Sequence, residues 1–107
     1  MSAPFTDQLR SRAGTITIPG DGARLTVRVQ YLEGWDAVRV DAPATTSVLG
    51  VKTAALAVLE PGVPVTDDFV VKHRGVELLD ERLALAAAGI PDHGILSVSH
   101  RRRRPVR

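Results

Sequence analysis

The residues whose types could carry catalysis or hold a metal are His73, His93, His100, Ser97, Ser99 and Asp92. A hydrolase needs a serine oxygen beside an imidazole that is itself oriented by a carboxylate. Ser97 and Ser99 alternate with Val98 and His100 in one short run, so sequence neighbours point to opposite faces, and no Gly-x-Ser-x-Gly elbow is present. A metal site needs ligands at a defined spacing, and the three histidines fall on separate segments without one. Cysteine is absent, which excludes disulfides, thiolate metal sites, a thiol nucleophile and any thioester carried on this chain. The pairs Asp67-Asp68 and Asp80-Glu81 read as solvated turns, and Gly20-Asp21-Gly22 is a turn too short to cradle a phosphate. The expectation is a protein without catalysis, cofactor, metal or small-molecule substrate.

Charge is distributed unevenly. The chain has fourteen basic and twelve acidic residues, and five of the basic ones are Arg101, Arg102, Arg103, Arg104 and Arg107. Residues 1–100 hold nine basic against twelve acidic side chains, a net charge of −3. A mildly acidic body with a basic tail differs from a nucleic-acid-binding surface, where Lys and Arg spread over one face with aromatics between them. The tail is either a solvated end or a contact to phosphate groups, acidic lipids or an acidic protein. Near an anionic membrane each Arg adds ~1 kcal/mol, enough for reversible attachment only. No stretch approaches the ~20 consecutive apolar residues of a membrane span. The start MSAPFTDQLR lacks the apolar segment of a secretory signal, so a cytoplasmic location is expected.

The positioning elements follow from periodicity. At 107 residues, 44% hydrophobic, the chain has material for one modest core and one domain. Residues 1–14 have no sustained period and read as a flexible arm, residues 15–100 as the domain, and residues 101–107 as the basic tail. Thr15 to Ile18 forms a short edge strand before the turn at Pro19-Gly20. Leu25, Val27, Val29 and Tyr31 alternate with polar residues, Gly34-Trp35-Asp36 breaks the pattern, and Val38 and Val40 alternate again, which predicts a β-hairpin. Val48, Val51, Ala55 and Val58 or Leu59 recur at helical steps from about Ser47 to Glu60, with Thr46 or Ser47 as the N-cap and Pro61-Gly62 as the stop. Gly50 inside this helix costs roughly 1 kcal/mol relative to Ala, and its small size would let a strand approach. Phe69 to Arg74 predicts a third strand, reversed at Gly75 into the short strand Val76 to Leu79. Asp80 to Ala88 predicts one or two helical turns ending at Gly89. Ile95 to Ser99 closes the domain with Leu96 and Val98 inward.

This order, together with several local strings, resembles the ubiquitin-like superfamily over about residues 24–103. Gly-Val-Lys-Thr-Ala-Ala-Leu at 50–56 is similar to a string in ubiquitin's main helix, and Gly62-Val63-Pro64 is similar to its Gly-Ile-Pro. The run from Gly75 through Leu78, Leu85, Gly89-Ile90 and Leu96 looks like the family's Gly-Lys-x-Leu-x-Asp…Leu…Gly-Ile…Leu signature. The resemblance implies an α+β, ubiquitin-like β-grasp fold: a mixed four- to five-stranded sheet packed on one main helix plus a short helical turn. It also implies a non-catalytic role in recognition, or attachment through a C-terminal Gly-Gly. Arg104 and Pro105 stand in the two glycine positions, and no Gly-Gly lies upstream at the end of the last strand. Two bacterial branches that lack Gly-Gly are similar as well: the YukD-like ubiquitin-like proteins of type VII secretion and the ubiquitin-like subunits of diiron monooxygenases. Both imply a small adaptor-like subunit of a larger assembly, and a bacterial ubiquitin-like modifier is the alternative.

Aligned on ubiquitin's apolar recognition patch, this chain has Lys72 and Ser99 in place of Ile and Val, with Val70, Arg74, Ser97 and Arg101 beside them. The resemblance thus implies a polar, basic docking face for a protein partner with an acidic surface. Lys52 and Lys72 are the only two lysines, which leaves little for chain building through lysine. Trp35, the single tryptophan, sits at the predicted hairpin tip. Its ring either anchors an interface or folds back over the sheet edge.

Overall fold

Alternation along two neighbouring segments generates the fold. The computed structural model describes residues 10–62 and 69–100. Strands β2 (Arg24–Tyr31) and β3 (Asp36–Pro43) form an antiparallel hairpin in which Val27 lies opposite Val40 and Val29 opposite Val38. These four valines face one side and are fully or almost fully buried. Helix α1 (Val48–Leu59) covers that side with Val48, Val51, Ala55, Leu56 and Leu59. Strands β4 (Phe69–His73), β5 (Val76–Glu77) and β6 (Ile95–His100) complete the layer, and Phe69, Val71, Leu96 and Val98 join the same core. β6 runs parallel to β2 in the middle of the sheet and antiparallel to β4.

The sheet has six strands, in the order β1-β3-β2-β6-β4-β5, where four or five were expected. The additional strand is β1 (Arg10–Thr17), which begins inside the stretch read as an arm and ends before Ile18. It pairs in parallel with β3, its register shifting between Ser11 and Thr15. Residues 10–14 carry no alternating pattern because an edge strand is held mainly through its backbone. Ile16 and Ile18 pack against the core from this edge. The Arg24 guanidinium fastens the connection to β2 by donating to Asp41 Oδ1 at 2.8 Å, to the Gly20 carbonyl at 2.9 Å and to the Ile18 carbonyl. The rest of the expected arm, residues 1–9, lies outside the described residues, as does the Asp67-Asp68 pair.

Helix α1 begins where the Ser47 Oγ accepts the Gly50 N–H at 2.9 Å, so Ser47 is the cap. A Cβ on Gly50 would first meet Thr46 and Ser47 of that cap, and no strand approaches there. The Val48 and Leu49 N–H groups, which have no partner within the helix, donate to the carbonyls of Leu83 and Glu81 at 2.9 and 2.8 Å. The returning bonds run from the Leu85 N–H to the Thr46 carbonyl and from the Ala86 N–H to the Ala44 carbonyl. Residues 80–88 form successive turns, and the last of them is a single helical turn of the kind expected there, closed by the Ala88 N–H on the Ala84 carbonyl at 2.9 Å before Gly89. The Glu81 and Leu83 carbonyls, which bind the start of α1, precede that turn and take no part in it. The short strand β5 likewise ends at Glu77, before Leu78 and Leu79. Gly89 has φ +81, as its place after the turns required.

Lys52 lies on the buried side of α1 and is 2% exposed. Its Nζ donates to both carboxylate oxygens of Glu81, at 2.9 and 3.1 Å. Glu81, expected in a solvated turn, therefore ties the segment after β5 to the helix. Removing one member of a buried pair strands the other charge, which costs roughly 3–5 kcal/mol, whereas replacing both with apolar groups costs far less. In urea unfolding, Lys52→Met should lose about 3 kcal/mol, and the Lys52→Met/Glu81→Leu double variant should recover most of that loss.

The single tyrosine offers a second check. Burial pushes the Tyr31 phenol up, and the charges of Glu60 and Glu33 push it further. A raised folded value means stability that is present below the ordinary phenol value near ~10 and is lost as pH rises through the folded one. Absorbance titration should place the Tyr31 midpoint above ~10, and Glu60→Gln should lower it.

Candidate functional site

The face of the sheet turned away from α1 holds most of the residues singled out from the sequence. In β4, Phe69 and Val71 enter the core, which turns Val70 and Lys72 outward. In β6, Leu96 and Val98 enter, which turns Ser97 and Ser99 outward. Register then sets Val70 opposite Ser99 and Lys72 opposite Ser97. Val70, Lys72 and Ser99 line a shallow depression of about 480 Å³ together with Leu32, Glu33, Glu77 and His100. Val70 is 6% exposed and forms its floor, while Lys72 is exposed. Ser97 borders the depression through Lys72, and Arg74 stands in the turn that follows β4. Arg101, Arg102, Arg103, Arg104 and Arg107 lie outside the described residues.

Leu32, Glu33, Glu77 and His100 were not anticipated. Their place depends on pairings that a strand pattern does not report. Glu77 reaches the depression because β5 pairs with β4, setting it opposite Lys72. The Glu33 carboxylate accepts the His100 N–H at 3.0 Å, joining the end of β6 to the β2–β3 connection. Arg28 and Arg39 belong to the same outer face and stand directly opposite each other. Those two were legible, because each is the polar residue between inward valines of a predicted hairpin.

The histidines are dispersed. His73 pairs with Leu96 across the sheet, His93 lies 3.3 Å from Asp92 Oδ2 in the loop before β6, and the His100 ring lies on Phe69 at 4.3 Å. Asp92 also accepts the Thr26 N–H at 2.8 Å, which gives it a structural task. Ser99 and His100 border one depression, yet among the described residues no hydrogen bond joins them.

Two turns next to this face carry side chains in an unfavourable conformation. Trp35 has φ +52 and is 64% exposed. The glycine beside it cannot exchange roles with it, since a Cβ on Gly34 would come within 2.7 Å of the Tyr31 ring. In the reversal between β4 and β5, Arg74 and Gly75 have φ +55 and +84, the two positive values a tight two-residue hairpin turn demands. Asn or Gly suits such positions, and a bulky side chain there costs roughly 1 kcal/mol. Trp35 thus displays a large apolar ring at a position where a smaller residue would be more stable.

Compared with known proteins, the chain matches no protein-family model and no curated protein. It does match solved structures. The solution structure of the ubiquitin-like domain of an Arabidopsis thaliana protein superposes with a TM-score of 0.60 at 19% identity, over 78% of this chain and 84% of that one. A ubiquitin-like protein from Trypanosoma brucei superposes with a TM-score of 0.57 at 22% identity, over 74% of this chain and 96% of that one. At these identities the likeness is one of fold, and the chain has the ubiquitin-like α+β fold.

Relief of the left-handed strain should show as stability. Trp35→Asn should raise the unfolding free energy by about 0.5–1 kcal/mol in chemical denaturation, despite the loss of a large side chain.

Proposed function

We propose that this chain is a non-enzymatic protein-interaction module that docks an acidic protein surface on the outer face of its sheet. Lys72, Arg74, Ser97 and Ser99 make the polar contacts, Val70 floors the depression, and Trp35 is an anchor at the β2–β3 turn. The supporting observation is electrostatic. In a body whose residues 1–100 carry a net charge of −3, strand register collects Arg28, Arg39 and Lys72 on one face. Cations gathered in this way favour an acidic partner and speed its encounter. Glu77 opposite Lys72 and Glu33 at the other end of the depression would set the orientation of that partner. The hydroxyls of Ser97 and Ser99 supply short donors between the charges.

The resemblance to bacterial ubiquitin-like proteins without Gly-Gly supports a more specific role, that of a small adaptor subunit in a larger cytoplasmic assembly of the type VII secretion kind. In that role the module works by reversible contact and carries no covalent attachment.

The test separates binding from folding. Charge reversal at Lys72 would place a second carboxylate opposite Glu77, so neutral replacements are preferable. Lys72→Gln with Arg74→Asn removes both charges, and the asparagine suits the turn, so thermal stability should hold or rise. In quantitative affinity capture from the native host, partners recovered with the unaltered chain should fall about tenfold with this variant, the effect of losing ~1.4 kcal/mol. Undiminished recovery would exclude the face. Intact-mass species heavier by a second protein would replace this reading with that of a covalent modifier.

A further inference from the structure

The β2–β3 turn displays two large apolar side chains. Leu32 is 47% exposed and Trp35 64%, and the Trp35 N–H donates to the Leu32 carbonyl at 3.2 Å, which closes the turn between them. Single exposed apolar residues are ordinary, but a tryptophan held at φ +52 beside an exposed leucine is kept at a cost in stability. Tryptophan suits a boundary between water and an apolar phase, where its ring meets both.

Strand register brings the root of the arginine run to the same turn. β6 runs parallel to β2 with Val98 opposite Tyr31, so its end reaches the residues that follow β2. The Leu32 N–H donates to the Val98 carbonyl at 3.0 Å, and the His100 N–H donates to the Glu33 carboxylate at 3.0 Å. Arg101 is the next residue of the chain, and Arg102, Arg103, Arg104 and Arg107 follow it closely. Far apart in sequence, the apolar turn and the start of the arginine run share one end of the sheet.

Shape and charge together commit this end to an anionic lipid surface. Side chains at a turn stand out from the fold, and a headgroup layer yields around them, whereas a folded protein must offer a pocket already shaped. Leucine gives a nucleic acid neither a stacking ring nor a hydrogen bond, and it is stabilised among acyl chains. Arginines alone hold a protein at anionic lipid only reversibly, as does one small apolar anchor, and the two together supply the pair of signals that stable attachment takes. With residues 1–100 at a net charge of −3, the rest of the body is repelled, which turns this end toward the surface. Glu33 is the opposing charge within the turn.

We propose that the β2–β3 turn inserts Trp35 and Leu32 into the headgroup layer of an anionic membrane while the arginines from Arg101 onward meet its phosphates. The proposal rests on the anchoring role given to Trp35 above and names the medium that the ring enters. The sheet face stays available, because Lys72 stands opposite Ser97 and Arg74 follows the His73–Leu96 pair, both nearer the start of β6 than the turn is. One domain thereby holds an acidic protein at a lipid surface.

Trp35 is the only tryptophan, so its fluorescence reports this turn directly. The probes are vesicles of phosphatidylcholine alone and of phosphatidylcholine with phosphatidylglycerol, read by co-sedimentation and by tryptophan emission of the full chain. The mixed vesicles should bind the chain, shift its emission to shorter wavelength and quench it when the acyl chains are brominated, and phosphatidylcholine alone should do none of this. Trp35→Asn, which the turn favours, should weaken co-sedimentation about tenfold with no loss of melting temperature. Glu33→Gln, whose amide oxygen still accepts the His100 N–H, should strengthen it severalfold. Lys72→Gln with Arg74→Asn should change vesicle binding little, so a failure of the sheet-face reading stays distinct from a failure here. No binding to the mixed vesicles, binding with unshifted emission, or indifference to Trp35→Asn would overturn the proposal. So would an equal emission change on adding single-stranded DNA without lipid, or loss of captured protein partners with Trp35→Asn while vesicle binding persists, since the ring would then face a base or a protein.

Discussion

A buried ammonium group is the constraint around which one half of this molecule is arranged. Lys52 emerges on the core side of α1, where an unpaired charge could not remain, and the Glu81 carboxylate meets it from the segment after β5. That meeting brings residues 81–86 alongside residues 44–49. The backbone bonds exchanged there cap the helix and deliver Leu85 to the core with no exposed surface. The turns leading up to Gly89 start from where this segment is tied. Charge and apolar packing thus act in sequence, the first placing the backbone and the second filling the space beneath it.

The parts legible from residues alone were those with an internal period. The hairpin valines, the helical spacing of Val48, Val51 and Ala55, and the inward Leu96 and Val98 each repeat at the interval of their element. Their burial was therefore readable without knowing any partner. β1 was largely missed because backbone pairing at an edge leaves no alternation to read. The segment 80–88 was legible at its end, where Ala84 to Ala88 make one helical turn, while the residues before it answer a demand from elsewhere, the unsatisfied N–H groups of α1. Lys52 was placed on the helix but not in the core, since a lone lysine in a periodic pattern looks like the solvated side. On the outer face, Lys72, Ser97 and Ser99 were legible from alternation. Glu33, Glu77 and His100 were not, because each arrives through a contact between distant segments.

The two turns that flank the outer face share a conflict between local and wider demands. At Gly34 the Tyr31 ring leaves no room for a side chain, and at Trp35 the backbone takes a conformation that disfavours one. Arg74 shows the same mismatch between β4 and β5. Such positions are where a sequence departs from its most stable version, and both lie beside the face that carries the cations.

The parallel pairing of β2 with β6 has a consequence for how the chain acquires its shape. The centre of the sheet joins the beginning of the domain to its end, as in the bond from the Thr26 N–H to Asp92, which spans 66 residues. Hairpin β2–β3 and helix α1 can form from local contacts while the chain is still being made, but the middle of the sheet stays open until β6 has left the ribosome. Until then the β2 edge offers unpaired backbone beside Val27 and Val29 to any neighbouring chain. Emergence of residues 95–100 is therefore the step that closes this edge and ends the nascent domain's exposure to misassembly.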